Sequence, residues 1–404
     1  MQLLGKLLLA SLLFIPTVTS ASGRPSHVHL FPLSAPDRGV ALSATKLAGH
    51  SASVAMHWLG RERRVSRVQL GPDHSTLDVH FQDGAELVIL PRSASLRRVS
   101  PSFMPDVRIH DPSPASPGRA LVLEPFADEL QVGASEGQAE ANTLSQAGFQ
   151  VTTVRNSAVT VGLMQTLSNY SVVYMLTHSG LLPNGDAVVA TGEESPAMPQ
   201  QSQYAALYSE HSLLQVDVAG QSQLILYNAF TSVFVNNQLG SFPNSSLIFV
   251  NGCKVLASPV LWQAFAAKNV SALISWTDDA DSNADKQAGT FVFSRMAAGE
   301  TIAAAIQDAQ QNGLAISYVS GQVARLNFVG DGGDTFARAL SGSLPTATPP
   351  PTATPVPTAT PVPSATPRPQ THRGHCKPGH HRSHGHCVRT KHKRRHCTRH
   401  CKPM

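Results

Sequence analysis

The 404-residue sequence predicts an α/β fold: a mostly parallel sheet with helices on both faces, preceded by a small β-rich unit and followed by a Pro/Thr-rich linker and a basic Cys/His-rich tail. Three observations predict it. From Arg119 onward, short apolar runs alternate with helix-period stretches, the pattern of parallel strands joined by helical crossovers. Those apolar runs are nearly continuous, as in strands buried on both faces. Composition changes sharply around Pro112, Pro114 and Pro117 and again at Leu344, which marks domain boundaries.

Residues 1–21 read as a signal peptide: Lys6, an apolar run from Leu7 to Ile15, then small residues with Thr19 and Ala21 at −3 and −1 of a cleavage site. The run is too short to span a bilayer, and no later apolar stretch reaches about 18 residues. The expected product is secreted, with no transmembrane segment. Residues 25–118 read as the β-rich unit, which either a propeptide or a structural partner would explain. Its clearest piece is a hairpin, Thr76–Phe81 and Glu86–Leu90, turned by Asp83-Gly84.

Residues 119–340 form the α/β unit. Ala120–Leu123 is the first strand, and Ser135–Ala147 a helix opened by Ser135 with Gln138 as a capping box and closed by Gly148. Gln150–Val154, Ser171–Leu176, Ser246–Val250 and Ser271–Ser275 are the following strands, with a short helix at Thr160–Leu167. An insertion from Leu181 to Leu226 separates the third and fourth strands and is placed to shape a cleft. Pro259 sits at the favoured first position of a helix running to Lys268. Further helices span about Asp281–Ala298 and Thr301–Asn312, each followed by a glycine.

Residues 344–370 repeat Pro-Thr-Ala-Thr-Pro, a polyproline-II spacer of about 80 Å at ~3.1 Å per residue. Residues 371–404 then carry four Lys, six Arg, nine His and no acid, against a net charge of +5 for the whole chain. The remainder is therefore acidic, and the basic character belongs to the tail. Such a tail would bind anionic cell-wall polymers or other polyanions, and would hold the secreted chain at the wall. Cys376, Cys387, Cys397 and Cys401 suggest two disulfides; zinc ligation and a solvated, unstructured tail are the alternatives.

The body holds one cysteine, Cys253, directly after the fourth strand. His178 directly follows the third. In open parallel sheets, sites form outside the carboxyl ends of the strands, so neighbouring third and fourth strands would put both side chains at one edge. A thiolate with an imidazole beside it is an activated nucleophile. Each residue also has a plainer reading, as a buried cysteine and a satisfied loop histidine. A serine-hydrolase arrangement of Ser135, Asp186 and His211 is disfavoured, because no strand runs directly into Gly133-Ala-Ser135-Glu-Gly137.

The runs Ser171–Gly180, Ser246–Cys253 and Leu261–Asp279 together resemble the caspase-haemoglobinase fold, and within it CHAT-domain proteins, separases and gingipains. The resemblance covers roughly Arg119 to Asn312. It implies a cysteine endopeptidase acting on a protein or peptide substrate, with Cys253 as nucleophile and His178 as its proton partner. Backbone amides around Ser179, Gly180 and Gly252 would hold the oxyanion. Ser179 departs from the family pattern, which has Gly directly after the histidine. By the same resemblance Asp278 and Asp279 would line a pocket for an Arg or Lys side chain; the residues themselves equally suit the start of the next helix. No cofactor is expected, with calcium left open because some peptidases of this resemblance use it. Asp279-x-Asp281-x-Asn283-x-Asp285 begins like a calcium loop but has Ala284 and Thr290 where such a loop has Gly and Glu. The rival reading is a non-catalytic surface-binding protein on a degenerate scaffold of this fold.

Overall fold

A computed structural model of the chain describes residues 32–92, 118–128, 130, 134–319 and 322–342, and the backbone of 380–383 and 386–389. It divides into two units, Met1–Ala347 and Thr348–Met404. The signal peptide, the linker, and the tail's Cys376, Cys397 and Cys401 lie outside the described residues.

In chain order the first unit runs α1 (Ala35–Ala48), α2 (Ala52–Leu59), β1 (Val65–Leu70), β2 (Leu77–Phe81), β3 (Glu86–Leu90), β4 (Arg119–Glu124), α3 (Ala134–Gln146), β5 (Gln150–Arg155), α4 (Val161–Met164) and β6 (Val172–Leu176). It continues with β7 (Ser179–Leu181), β8 (Ala187–Glu194), α5 (Ala205–Ser209), β9 (Leu213–Val218), β10 (Tyr227–Phe230), α6 (Ser232–Gln238) and β11 (Ser246–Asn251). Then come α7 (Pro259–Ala267), β12 (Val270–Trp276), α8 (Ser282–Ala297), α9 (Ile302–Gln311), β13 (Ile316–Val319), β14 (Gln322–Gly330) and α10 (Phe336–Ser341). The second unit shows a hairpin, β15 (His380–Ser383) against β16 (His386–Arg389).

The described residues of the first unit form an α/β fold with two mixed seven-stranded sheets and ten α-helices. The central sheet has the order β5-β4-β6-β11-β12-β14-β13. Its strands β5, β4, β6, β11 and β12 are parallel, and β14 and β13 are antiparallel additions. Side-chain alternation sends Leu121, Val173, Met175, Ile248 and Val250 to one face, against Met164, Phe234, Leu261 and Phe265. It sends Val122, Tyr174, Phe249, Ile274 and Trp276 to the other, against Leu144, Val292, Phe293 and Ile306. Burial on both faces is why these strands read as unbroken apolar runs.

Helix starts follow the chemistry of their caps. Ser258, Asp281 and Thr301 each accept a hydrogen bond from the first turn of α7, α8 and α9. Helix α3 differs from expectation: it begins at Ala134, so Ser135 lies inside its first turn and is not the residue ahead of it.

The second sheet has the order β1-β2-β3-β9-β10-β8-β7. Residues 25–118, read from sequence as a separate β-rich unit, contribute α1 and α2 as well as β1–β3. Moreover β3 pairs in parallel with β9, from the insertion, through Val88↔Val216 and Leu90↔Val218. Helices α1 and α2 cover one face of this sheet through Ala41, Ala44, Ala55 and Leu59 on Leu77, Val79, Leu87 and Ile89. The buried Thr45 hydroxyl donates to Asp217 of β9 at 2.8 Å, a second tie between the early and late segments. The hairpin is as expected, with Gly84 at φ 88° in its turn.

Because the interior β3–β9 pair joins the two segments, each alone would leave an unpaired strand edge. A chain starting at Gly118 is expected to lose cooperative folding while one starting at Phe31 keeps it. Thermal melts followed by circular dichroism on the two truncations check this, and a sharp melt from the shorter chain would contradict it.

Candidate functional site

The register of β6 and β11 sets the site. These neighbouring parallel strands pair Leu176 with Asn251, and Thr177 N–H extends the ladder to the Asn251 carbonyl at 3.1 Å. His178 and Cys253 are each two residues beyond the Leu176↔Asn251 pair, so both leave the carboxyl edge of the sheet at the same level. The end of β11 is held from behind by the Asn251 side chain, which accepts from Trp276 Nε1 at 2.8 Å. It also donates to the Tyr174 hydroxyl at 2.9 Å and the Asp285 carbonyl at 3.0 Å.

The segment Gly252–Lys254 is pinned at each peptide. Ser275 Oγ donates to the Val250 carbonyl at 2.5 Å with the Gly252 carbonyl 3.3 Å away, Ser179 Oγ donates to the Cys253 carbonyl at 2.6 Å, and Lys254 N–H donates to the Asp278 carbonyl at 3.3 Å. A side chain at Gly252 would bring a Cβ within 2.6 Å of Ser179 Oγ and 2.9 Å of the Thr177 carbonyl, so glycine is needed for this approach. The serine that departs from the family pattern is thus the residue that joins the histidine arm to the cysteine segment.

His178 and Cys253 are deeply covered, at 1% and 2% exposure. Phe126, from the loop after β4, meets the His178 ring edge-on at 4.8 Å and the Tyr227 ring at 4.9 Å. The Cys253 thiol lies 4.0 Å from the Ala280 carbonyl and is in no disulfide. Across β7 and β8, Ala190 N–H donates to the His178 carbonyl at 3.0 Å. Antiparallel alternation then assigns the next ladder bonds to Gly180 and turns the Ser179 amide away from β8. Of the amides named from sequence, Gly180 is therefore engaged in the β7–β8 ladder and Ser179 lies outside it.

Sequence reasoning missed Lys254. It follows Cys253 directly, has a left-handed backbone (φ 64°), and its side chain is 2% exposed. Its ammonium lies 2.6 Å from Ser75 Oγ, 2.7 Å from Asp279, and 3.5 Å from both Asp73 and Asp278. Where the resemblance implies a substrate cation beside Asp278 and Asp279, the structure holds an internal one. Burial alone would drive the Lys254 ammonium toward neutrality, but Asp279, Asp73 and Asp278 outweigh it and hold its pKa above the ordinary lysine value. Burial likewise works against the Asp73 carboxylate, and Lys254 with the Thr76 and Ser75 hydrogen bonds more than offsets it, so Asp73 titrates below the usual range. Asp279 goes the other way: burial, with Asp278 and Asp73 nearby, lifts its pKa despite Lys254. Three carboxylates sharing one ammonium leave one group disfavoured as an anion.

The calcium-like run is divided among separate tasks. Asp279 pairs with Lys254, Asp281 caps α8 through Asn283 N and Ala284 N, and the Asp285 carbonyl accepts from Asn251. Among the described residues no group of three or more His, Cys, Asp or Glu is placed to hold a metal ion.

Clefts among the described residues include the following pair. One, of about 600 Å³, is walled in part by Asp73, Ser75, Asp279 and Gln322, beside the Lys254 cluster. The other, of about 660 Å³, is lined by Arg67, Asp78, His80, Glu86, Asp186 and His211, among others. It brings Asp186 and His211 to one cleft without Ser135, which is on α3. Asp186 is occupied with Ser232, accepting from its N–H and hydroxyl at 3.2 and 2.6 Å.

Neither a protein-family model nor a curated protein matches this chain. No described helix is long and apolar enough to cross a membrane.

The second cleft makes a pH prediction. His80 bonds Asp78 and Glu86, each at 3.0 Å, and those two carboxylates outweigh burial, pushing its pKa up from 6.5 to about 9. A raised folded-state value means its stabilisation is complete below pH 6.5 and is lost as pH climbs through 9. His80→Gln should therefore flatten the stability profile across that window, read from melting temperatures at successive pH values. An unchanged slope would contradict the assignment.

Proposed function

We propose that the central α/β domain is a caspase-like cysteine endopeptidase using Cys253 and His178. The observation that carries this reading is the in-register exit of both residues from adjacent parallel strands. The sheet supports it: β5, β4, β6, β11 and β12 are parallel neighbours, and β6 and β11, which carry the two residues, lie at its centre.

In the proposed reaction His178 takes the Cys253 proton, and the thiolate sulfur attacks the scissile carbonyl. The carbonyl oxygen gains the negative charge, met by the amides of Ser179 and Cys253. Collapse breaks the C–N bond, with the His178 proton going to the leaving amine. Water then cleaves the thioester, losing a proton to His178 and returning one to sulfur. Because both side chains are covered, substrate entry requires Phe126, which packs on the His178 ring, to move aside.

The same burial favours a second reading, in which the fold is a non-catalytic scaffold and the basic tail, secreted and wall-bound, carries the function. The full mature chain on a mixed fluorogenic peptide library, beside Cys253→Ala and His178→Ala, separates the two. Cleavage lost by about a thousandfold or more in both variants is expected of a dyad. Absence of cleavage, with Cys253 inert to iodoacetamide in the folded chain, would sink the peptidase reading.

The tail makes its own prediction. Removing residues 371–404 should abolish retention on a heparin matrix at low salt, and retention of the full chain should fall steeply with ionic strength. Equal retention of both chains would exclude the tail as the polyanion-binding part.

A further inference from the structure

The turn between β1 and β2, residues 71–76, touches both arms of the candidate site. On the histidine side, Thr76 Oγ1 accepts from Leu181 N–H at 3.1 Å, two residues beyond Ser179. Gly180 packs so closely on the Thr76 hydroxyl that a Cβ there would overlap it. On the cysteine side, Ser75 and Asp73 reach the Lys254 ammonium at 2.6 and 3.5 Å. The turn itself is stiffened from within, because the Asp73 carboxylate accepts from Ser75 and Thr76 through both backbone N–H groups and both hydroxyls.

This arrangement is more than packing. Lys254 occupies a left-handed conformation, φ 64°, that is unfavourable for a non-glycine residue. Its backbone is the second half of the peptide whose carbonyl belongs to Cys253. Held by its ammonium, Lys254 cannot relax to an ordinary φ without leaving four polar partners, and Cys253 cannot turn without Lys254. The brace is supplied by a segment far ahead of both site residues in the chain.

We propose that Asp73 and Lys254 are positioning residues: the 71–76 turn clamps the Cys253–Lys254 peptide against the Ser179–Leu181 arm and so sets the geometry of the thiol. The proposal rests on the peptidase reading for its kinetic consequence but not for its structural one. It assigns residues 71–76 a part in assembling the site, which favours the structural-partner reading of residues 25–118 over the propeptide one.

The test uses the full mature chain carrying Asp73→Asn, which keeps the shape and removes the charge, and Ser75→Ala as a milder second variant. Asp37→Asn is the control, because Asp37 is buried in the same N-terminal segment and pairs with Arg64, away from the turn. Folding is checked by circular dichroism, and two readouts follow: the rate of Cys253 alkylation by iodoacetamide, and kcat and KM on any substrate the wild type cleaves. A loosened clamp should uncover the thiol and misalign it at once. Asp73→Asn is therefore expected to raise the alkylation rate about tenfold and lower kcat by about tenfold or more with KM little changed. Ser75→Ala should move both in the same directions by less, and Asp37→Asn neither. An alkylation rate within twofold of wild type in folded Asp73→Asn overturns the proposal whatever kcat does, as does an equal rise in Asp37→Asn. Should Asp73→Asn fail to fold, Ser75→Ala decides by the same criterion. A wild-type chain that cleaves nothing counts against the peptidase reading alone, since alkylation still reports the clamp.

Discussion

The backbone ladder between β6 and β11 is the constraint on which the site depends. Parallel pairing fixes which residues leave the sheet together, and a slip of one residue would send every side chain of one strand to the opposite face. Here the register is enforced from both sides, because Val173 and Ile248 belong to one core and Tyr174 and Phe249 to the other. The position of Cys253 relative to His178 is thus set by the burial of residues that touch neither. Local hydrogen bonds from Ser179, Ser275 and Asn251 then refine what the ladder has already decided.

Polar groups near the sheet edge are spent on holding backbone. Ser179 binds a carbonyl, Asn251 anchors three partners, and Lys254 gathers three acids. A buried ammonium among carboxylates contributes little net stability once desolvation is counted, but it penalises alternative arrangements heavily, since moving it strands a charge. Specificity of geometry is the effect such a cluster is suited to provide.

Much of the first unit was legible in the sequence because its signals are local. Continuous apolar runs located β4, β6, β11 and β12 to within a residue or so at either end. Asp83-Gly84 located the hairpin, and Ser258, Asp281 and Thr301 announced their helices. The pairing of His178 with Cys253 at one edge was readable for the same reason. What could not be read was long-range. Helices α1 and α2 have weak, Ala-rich apolar stripes that resemble loop. The insertion strands β8–β10 carry no sign of their distant partner β3. Lys254 looked like any surface lysine because its acid partners Asp73 and Asp279 come from segments on either side of it in the chain. A basic residue directly after a candidate nucleophile, with acids clustered downstream, was the signal available.

The parallel pairing of β3 with β9 also bears on when the chain can fold. Val88 has no sheet partner on that side until Val216 has been made, and the intervening α/β segment must be spanned before loop closure is rewarded. Completion of the second sheet therefore waits on synthesis past Val218, and until then the β3 edge formed by Val88, Ile89 and Leu90 stays without its β9 partners.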